Sequence, residues 1–128
     1  MYSFSKTVMG DYESTKEKTI AALQEQGFAV LTEINVKAIM KKKLDKDLRP
    51  YIILGACNPG LAYKAITSEP DIGLLLPCNV VVREEEDEKI TVAFMDPQAV
   101  LGLVGRPEIE PLAQEVKAKL HKVMNAIS

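Results

Sequence analysis

Tryptophan is absent from this sequence, aromatic residues make up only 5%, and there is a single histidine, His121. Each shortage excludes something. Stacking platforms for nucleic-acid bases need aromatic faces, which are poorly supplied here. Basic charge does not take their place: the net charge is −2 and the pI about 5.5, whereas a nucleic-acid footprint calls for a basic domain. With one histidine there is no second imidazole for general acid–base work, and no Ser-His-Asp order occurs. Cysteine is scarce too. Cys57 and Cys78 stand far apart in the chain, so a Cys-x-x-Cys redox motif is missing. Long hydrophobic runs are also lacking. The longest, Ile72 to Val82, is interrupted by Gly73, Pro77 and Asn79 and is too short to span a bilayer. The start, Met1-Tyr2-Ser3-Phe4-Ser5-Lys6, has no basic region leading into an apolar stretch, so no signal peptide is expected. The expectation is a cytoplasmic protein with reduced thiols, and neither a membrane nor a nucleic acid as partner.

What is present is ordinary globular composition: 128 residues, 47% hydrophobic and 27% charged. One domain, 1–128, is expected, able to fold without a disulfide or metal staple. Tyr2 to Val8 reads as a first strand. Asp11 is a candidate N-cap for a helix whose Tyr12, Lys16, Ile20 and Leu23 share a face and which Gly27 ends, followed by apolar Phe28. Phe28 to Val36 alternates as a second strand. Val36, Met40, Leu44 and Leu48 then stack along a lysine-rich helix closed by Arg49-Pro50. Tyr51 to Cys57 is a third strand. Asn58-Pro59 opens a third helix, Asn as N-cap and Pro at the first helical position. Ile72 to Glu84 reads as a long fourth strand, with a bulge at Pro77. Glu85 to Glu88 turns into a fifth strand, Lys89 to Met95. Asp96-Pro97 starts a short helical segment through Val104. The last helix has Ile109, Leu112, Ala113, Val116, Leu120, Val123, Met124 and Ile127 at the 3.6-residue period. This order implies an α+β fold: a mixed, mainly antiparallel sheet of about five strands with helices packed on one face, a doubly wound parallel sheet being the alternative.

Two short segments resemble each other, Ala56-Cys57-Asn58-Pro59 and Pro77-Cys78-Asn79-Val80. If strands three and four were parallel neighbours joined by the third helix, both cysteines would lie near the same end of the sheet. A thiol just before a helix N-terminus feels the positive end of the helix dipole, which lowers its pKa. Asn adds a carbonyl acceptor and N–H donors. Cys57, Asn58, Cys78 and Asn79 are therefore the candidate ligand-binding residues, with Cys57 and Cys78 as candidate metal ligands. The plainer account is that free cysteine is commonly a small core residue and that Asn58 merely caps. Zinc in a closed structural site takes about four ligands, more than two cysteines and His121 provide; a soft metal ion such as zinc, if held, needs an open or shared site. Asp96 is explained by capping more simply than by catalysis, and the charged run Arg83 to Lys89 by a solvated hairpin tip.

Leu54-Gly55-Ala56-Cys57-Asn58-Pro59 and Gly73-Leu74-Leu75-Leu76-Pro77-Cys78-Asn79-Val80-Val81-Val82-Arg83-Glu84 resemble the family called domain of unknown function 302. The likeness extends to Gly27-Phe28 and to the lysine-rich second helix before Arg49-Pro50-Tyr51. It implies a small α+β domain that forms homodimers and has no established activity, with Cys57, Asn58, Pro59, Cys78 and Asn79 on the family's signature positions. Three functions remain open from sequence: a homodimeric binding or sensing module with a small-ligand or soft-metal site at the two Cys-Asn pairs, a thiol-dependent redox enzyme using Cys57, or an interaction protein without small-molecule chemistry.

Overall fold

A computed structural model describes residues 1–128. The strands are β1 (Ser3–Val8), β2 (Ala29–Asn35), β3 (Tyr51–Cys57), β4 (Cys78–Glu84) and β5 (Ile90–Met95). The helices are α1 (Tyr12–Glu25), α2 (Val36–Leu44), α3 (Pro59–Ser68), α4 (Pro97–Leu101) and α5 (Glu110–Ala126). One five-stranded sheet has the order β1-β5-β4-β3-β2. Every neighbouring pair is antiparallel, so the fold is α+β as expected, without the parallel component.

Local chemistry places the helix ends. The Asp11 carboxylate accepts from the N–H of Ser14 and starts α1. At its other end Gly27 takes φ +83°, and the N–H of Phe28 reaches back to the carbonyl of Leu23, a left-handed turn that suits glycine. The buried face of α1 departs from the sequence expectation: Thr15, Thr19, Ala22 and Leu23 are buried, while Tyr12, Lys16 and Ile20 are only partly covered. The hydroxyls of Thr15 and Thr19 donate to the carbonyls of Asp11 and Thr15. Each is satisfied within its own helix, so burial leaves no unpaired polar group.

The main core lies between one face of the sheet and helices α1 and α5. Ile52, Leu54 and Ala56 of β3, Val80 and Val82 of β4, and Ile90, Val92 and Phe94 of β5 meet Leu23, Val116, Leu120, Val123 and Ile127. A smaller cluster of Ala65, Ile72, Leu101, Ile109 and Ala113 joins α3, the segment after it, α4 and α5. His121 sits at the core's boundary, its ring stacked on Phe4 with centroids 4.1 Å apart.

The fourth strand is shorter than the sequence suggested. Residues Pro70–Leu75 form a 3₁₀ turn, and the strand begins only at Cys78. Pro77 lacks the N–H a ladder needs, and Ile72 is buried in the smaller cluster instead. The apolar run is thus satisfied by packing rather than by sheet pairing. The second helix is also shorter. It ends at Leu44, with Asp45 in the left-handed conformation, so Leu48 lies outside it.

The second face of the sheet is different in character. Register places Ile34 opposite Ile53, Ile53 opposite Val81, and Val81 opposite Ala93. This makes one apolar row across four strands. Ile34 is 42% exposed, and the other three are half-buried. No helix of the protein is long and apolar enough to cross a membrane.

Candidate functional site

Cys57 is the last residue of β3 and Cys78 the first of β4. Because Ala56 pairs with Cys78, Cys57 lies one residue beyond that pairing. Strands three and four are neighbours but antiparallel, contrary to the parallel arrangement considered from sequence. The cysteines still share one end of the sheet, because α3 and the 3₁₀ turn leave and return at that end.

Both cysteines and Asn58 line one hollow beneath α3, on the seam between the two hydrophobic clusters. Its volume is about 30 Å³, room for one or two water-sized groups and far below the ~300 Å³ of an ordinary metabolite pocket. Eleven of its thirteen lining residues are hydrophobic, among them Leu61, Leu76, Pro77, Leu112 and Val116. The charged residues of the chain stay out of it.

Asn58 has a double role. Its Oδ1 accepts from the N–H of Leu61 at 3.3 Å, capping α3. Its Nδ2 faces the end of α1, where a Cβ on Gly27 would stand only 3.2 Å from it. Gly27 therefore serves both the turn and the seating of Asn58. Asn79 is placed elsewhere. It is exposed and lines a shallow depression on the other face with Tyr2, Ser3, Val81, Ala93 and Met95. Of the four ligand-binding candidates the structure brings together Cys57, Asn58 and Cys78, and it does not bring Asn79 to them.

Both cysteines are free. Burial pushes the Cys57 thiol above its ordinary pKa. Burial, and then the nearness of Cys57, push Cys78 up to about 12. Desolvation thus opposes the lowering expected from the helix end, and both side chains are neutral thiols at neutral pH. A thiolate nucleophile at Cys57 gains no support from this environment. As for metals, no group of three or more His, Cys, Asp or Glu side chains converges anywhere in the chain, so the thiol pair stands without a third such donor.

The remaining sequence candidates have structural occupations. Asp96 caps α4 through the N–H groups of Gln98 and Ala99 and pairs with Lys117 at 2.9 Å. Burial would raise its pKa, but these bonds outweigh that and hold the carboxyl below its ordinary value. Lys41 pairs with Asp45 and Asp47 on the exposed second helix. Sequence reasoning missed the apolar wall of the hollow, Leu61, Leu76 and Leu112. The one available signal was Pro77 directly before Cys78, which positions the chain at the mouth of β4.

The fold has a close parallel among solved structures. The crystal structure of uncharacterized conserved protein DUF302 from Bacillus stearothermophilus superposes with a TM-score of 0.93 at 23% identity, covering 100% of this chain and 99% of that one. At that identity the likeness concerns the fold alone. No curated protein matches the sequence. The family model described as "Domain of unknown function DUF302" matches residues 4–127, nearly the whole chain, and the chain belongs to that family.

Proposed function

We propose that the protein is a homodimeric binding or sensing module whose small ligand occupies the hollow between Cys57, Asn58 and Cys78. The observation that carries this reading is that Cys57, Asn58 and Cys78 all line a single, mostly hydrophobic hollow. The competing thiol-enzyme reading lacks an activated thiolate, and the only imidazole is stacked on Phe4. The thiols are taken as reduced, as in the cytoplasm. The apolar row of exposed Ile34 and half-buried Ile53, Val81 and Ala93 supplies the dimer contact. Apolar strips of this kind on an otherwise polar surface mark sites of association, and a second copy would cover one with a matching one.

Two measurements on the full chain test it. Sedimentation velocity at micromolar concentration is expected to give a dimer that Val81→Glu dissociates; a monomeric wild type removes the dimer. Native mass spectrometry of gently purified protein is expected to find a small bound species that Ala62→Leu, on the hollow's wall, displaces. Identical ligand-free spectra for both proteins would remove the binding function.

A further inference from the structure

Helix α2 has no place in the core. None of its residues is buried, and it contributes to neither hydrophobic cluster. Five of the chain's twelve exposed large hydrophobic residues, Leu31, Ile34, Ile39, Leu44 and Leu48, fall in β2, in α2 and just after it. Apolar surface is therefore concentrated where the chain itself offers no cover. The charge there is equally one-sided. Lys41 pairs with Asp45 and Asp47, but Lys37, Lys42, Lys43 and Lys46 make no ion pair within the chain. The β4–β5 hairpin carries the opposite sign. Glu84 to Glu88 are all acidic, and the exposed Glu86 and Glu88 are likewise unpaired. Both charged groups stand at one end of the sheet. Asn35, from which α2 departs, pairs with Ile52, and Ile52 pairs with Val82, two residues before the acidic run.

We propose that a second copy of this chain covers the open sheet face about a two-fold axis running along the strands between β3 and β4, so that the lysine-rich α2 of each protomer meets the acidic hairpin of its partner. This inference rests on the dimer reading above and names the mating surfaces. The apolar row selects the axis. Ile34, Ile53, Val81 and Ala93 belong to β2, β3, β4 and β5, so the row is balanced about the line between β3 and β4. Rotation about that line lays Ile53 over the partner's Val81 and Ile34 over the partner's Ala93. Each contact then occurs twice, as two-fold symmetry requires. The strands of the two sheets stay aligned, which is one of the two ordinary ways in which sheets pack face to face.

Two further contacts follow from the same rotation. In the next row toward the hairpin on this face, half-buried Tyr51 pairs with half-buried Arg83. The axis sets Tyr51 against the partner's Arg83, a guanidinium facing an aromatic ring. Helix α2, which joins β2 to β3, is carried over the end of β4 and β5, where the partner's acidic run lies. An axis across the strands would instead place α2 over the far end of the partner, away from those acids. The two sets of contacts divide the work. The apolar row supplies attraction, whereas rim charges mainly steer encounter and reject wrong orientations.

Charge reversal on the full chain tests this, read by sedimentation at micromolar concentration. A helix variant carries Lys42→Glu and Lys43→Glu; a hairpin variant carries Glu86→Lys and Glu88→Lys. All four positions are exposed, and far-UV circular dichroism checks that both variants fold. Each variant alone brings like charges together twice and should weaken the dimer by more than about 10-fold. Mixed one to one, the two variants should form a heterodimer, because each reversed surface then meets its complement. Added salt should narrow the gap between the wild type and each single variant. Variants that dimerise as the wild type does, while Val81→Glu still dissociates it, would overturn this orientation and leave the dimer reading standing. Weakened variants that stay monomeric when mixed would also overturn it. A monomeric wild type would remove both the orientation and the dimer.

Discussion

The two Cys-Asn pairs look interchangeable as strings and differ in almost every physical respect once folded. Cys57-Asn58 ends a strand and begins a helix; Cys78-Asn79 begins a strand. Asn58 turns its amide to the α3 cap and the end of α1, whereas Asn79 stands exposed on the opposite sheet face. Cys78 is nearly sealed and Cys57 is only half-buried. A duplicated motif therefore does not imply a duplicated role. Position within the element decides whether the amide is used for capping or left to solvent.

The largest effect expected in breaking this comparison comes from Gly55, which pairs with Asn79. A Cβ there would stand 2.2 Å from Oγ1 of Thr32 and 2.9 Å from Cγ of Pro77. Gly55→Ala should cost about 1–3 kcal/mol, the range for overpacking a close contact. Urea unfolding measures it, and an unchanged midpoint would show that Thr32 and Pro77 yield freely.

A second effect separates the thiols by pH. A cysteine ionises near 8.5 in the unfolded chain, while burial holds Cys78 neutral up to about 12 in the fold. Above the lower value the unfolded state releases a proton that the native state keeps, so stability present below about pH 8.5 is lost as pH rises. For metal-free reduced protein the fall between pH 8.5 and 10 should approach ~2 kcal/mol, at ~1.4 kcal/mol per unit for one group. Cys78→Ala should flatten that slope and Cys57→Ala should flatten it less. Equal slopes in all three proteins would mean that Cys78 ionises as readily folded as unfolded.

The asparagines should differ by a smaller margin. Asn58→Ala removes a helix cap and should cost about 1 kcal/mol; Asn79→Ala, at an exposed position, should stay within ~0.5 kcal/mol. Paired thermal melts compare them, and a reversed order would contradict the assigned placements. Last, iodoacetamide should label half-buried Cys57 before Cys78 in the metal-free protein, with little consequence for the fold. Mass mapping of the first adduct decides this.

Much of the fold was legible because the signals were local. Asp11, Gly27, Asn58, Pro59 and Asp96 each act on their own turn of chain, and the structure places every one of them at a helix boundary. The five strands and the hairpin of β4 and β5 likewise follow from alternation and turn residues. Less legible were stretches whose pattern suits more than one state. The run from Ile72 to Leu76 is apolar enough for a strand, and periodicity alone cannot separate a buried strand from a packed turn. Thr15 and Thr19 carry no apolar signal, since their burial depends on hydroxyl bonds made only after the helix has formed. Of the site, the sequence indicated the two thiols and Asn58 but not the leucines around them.

By itself, then, the sequence determined where elements begin and end, because caps, prolines and positive-φ glycine act within a few residues. Tertiary structure alone decided that all strand pairs are antiparallel, that Cys57 and Cys78 border one hollow, and that Asn79 stands on the opposite face. The physical reason is parity. Side chains alternate across a sheet, so one residue of register sends a group to the core or to the opposite face, and register is fixed by partners far away in the chain.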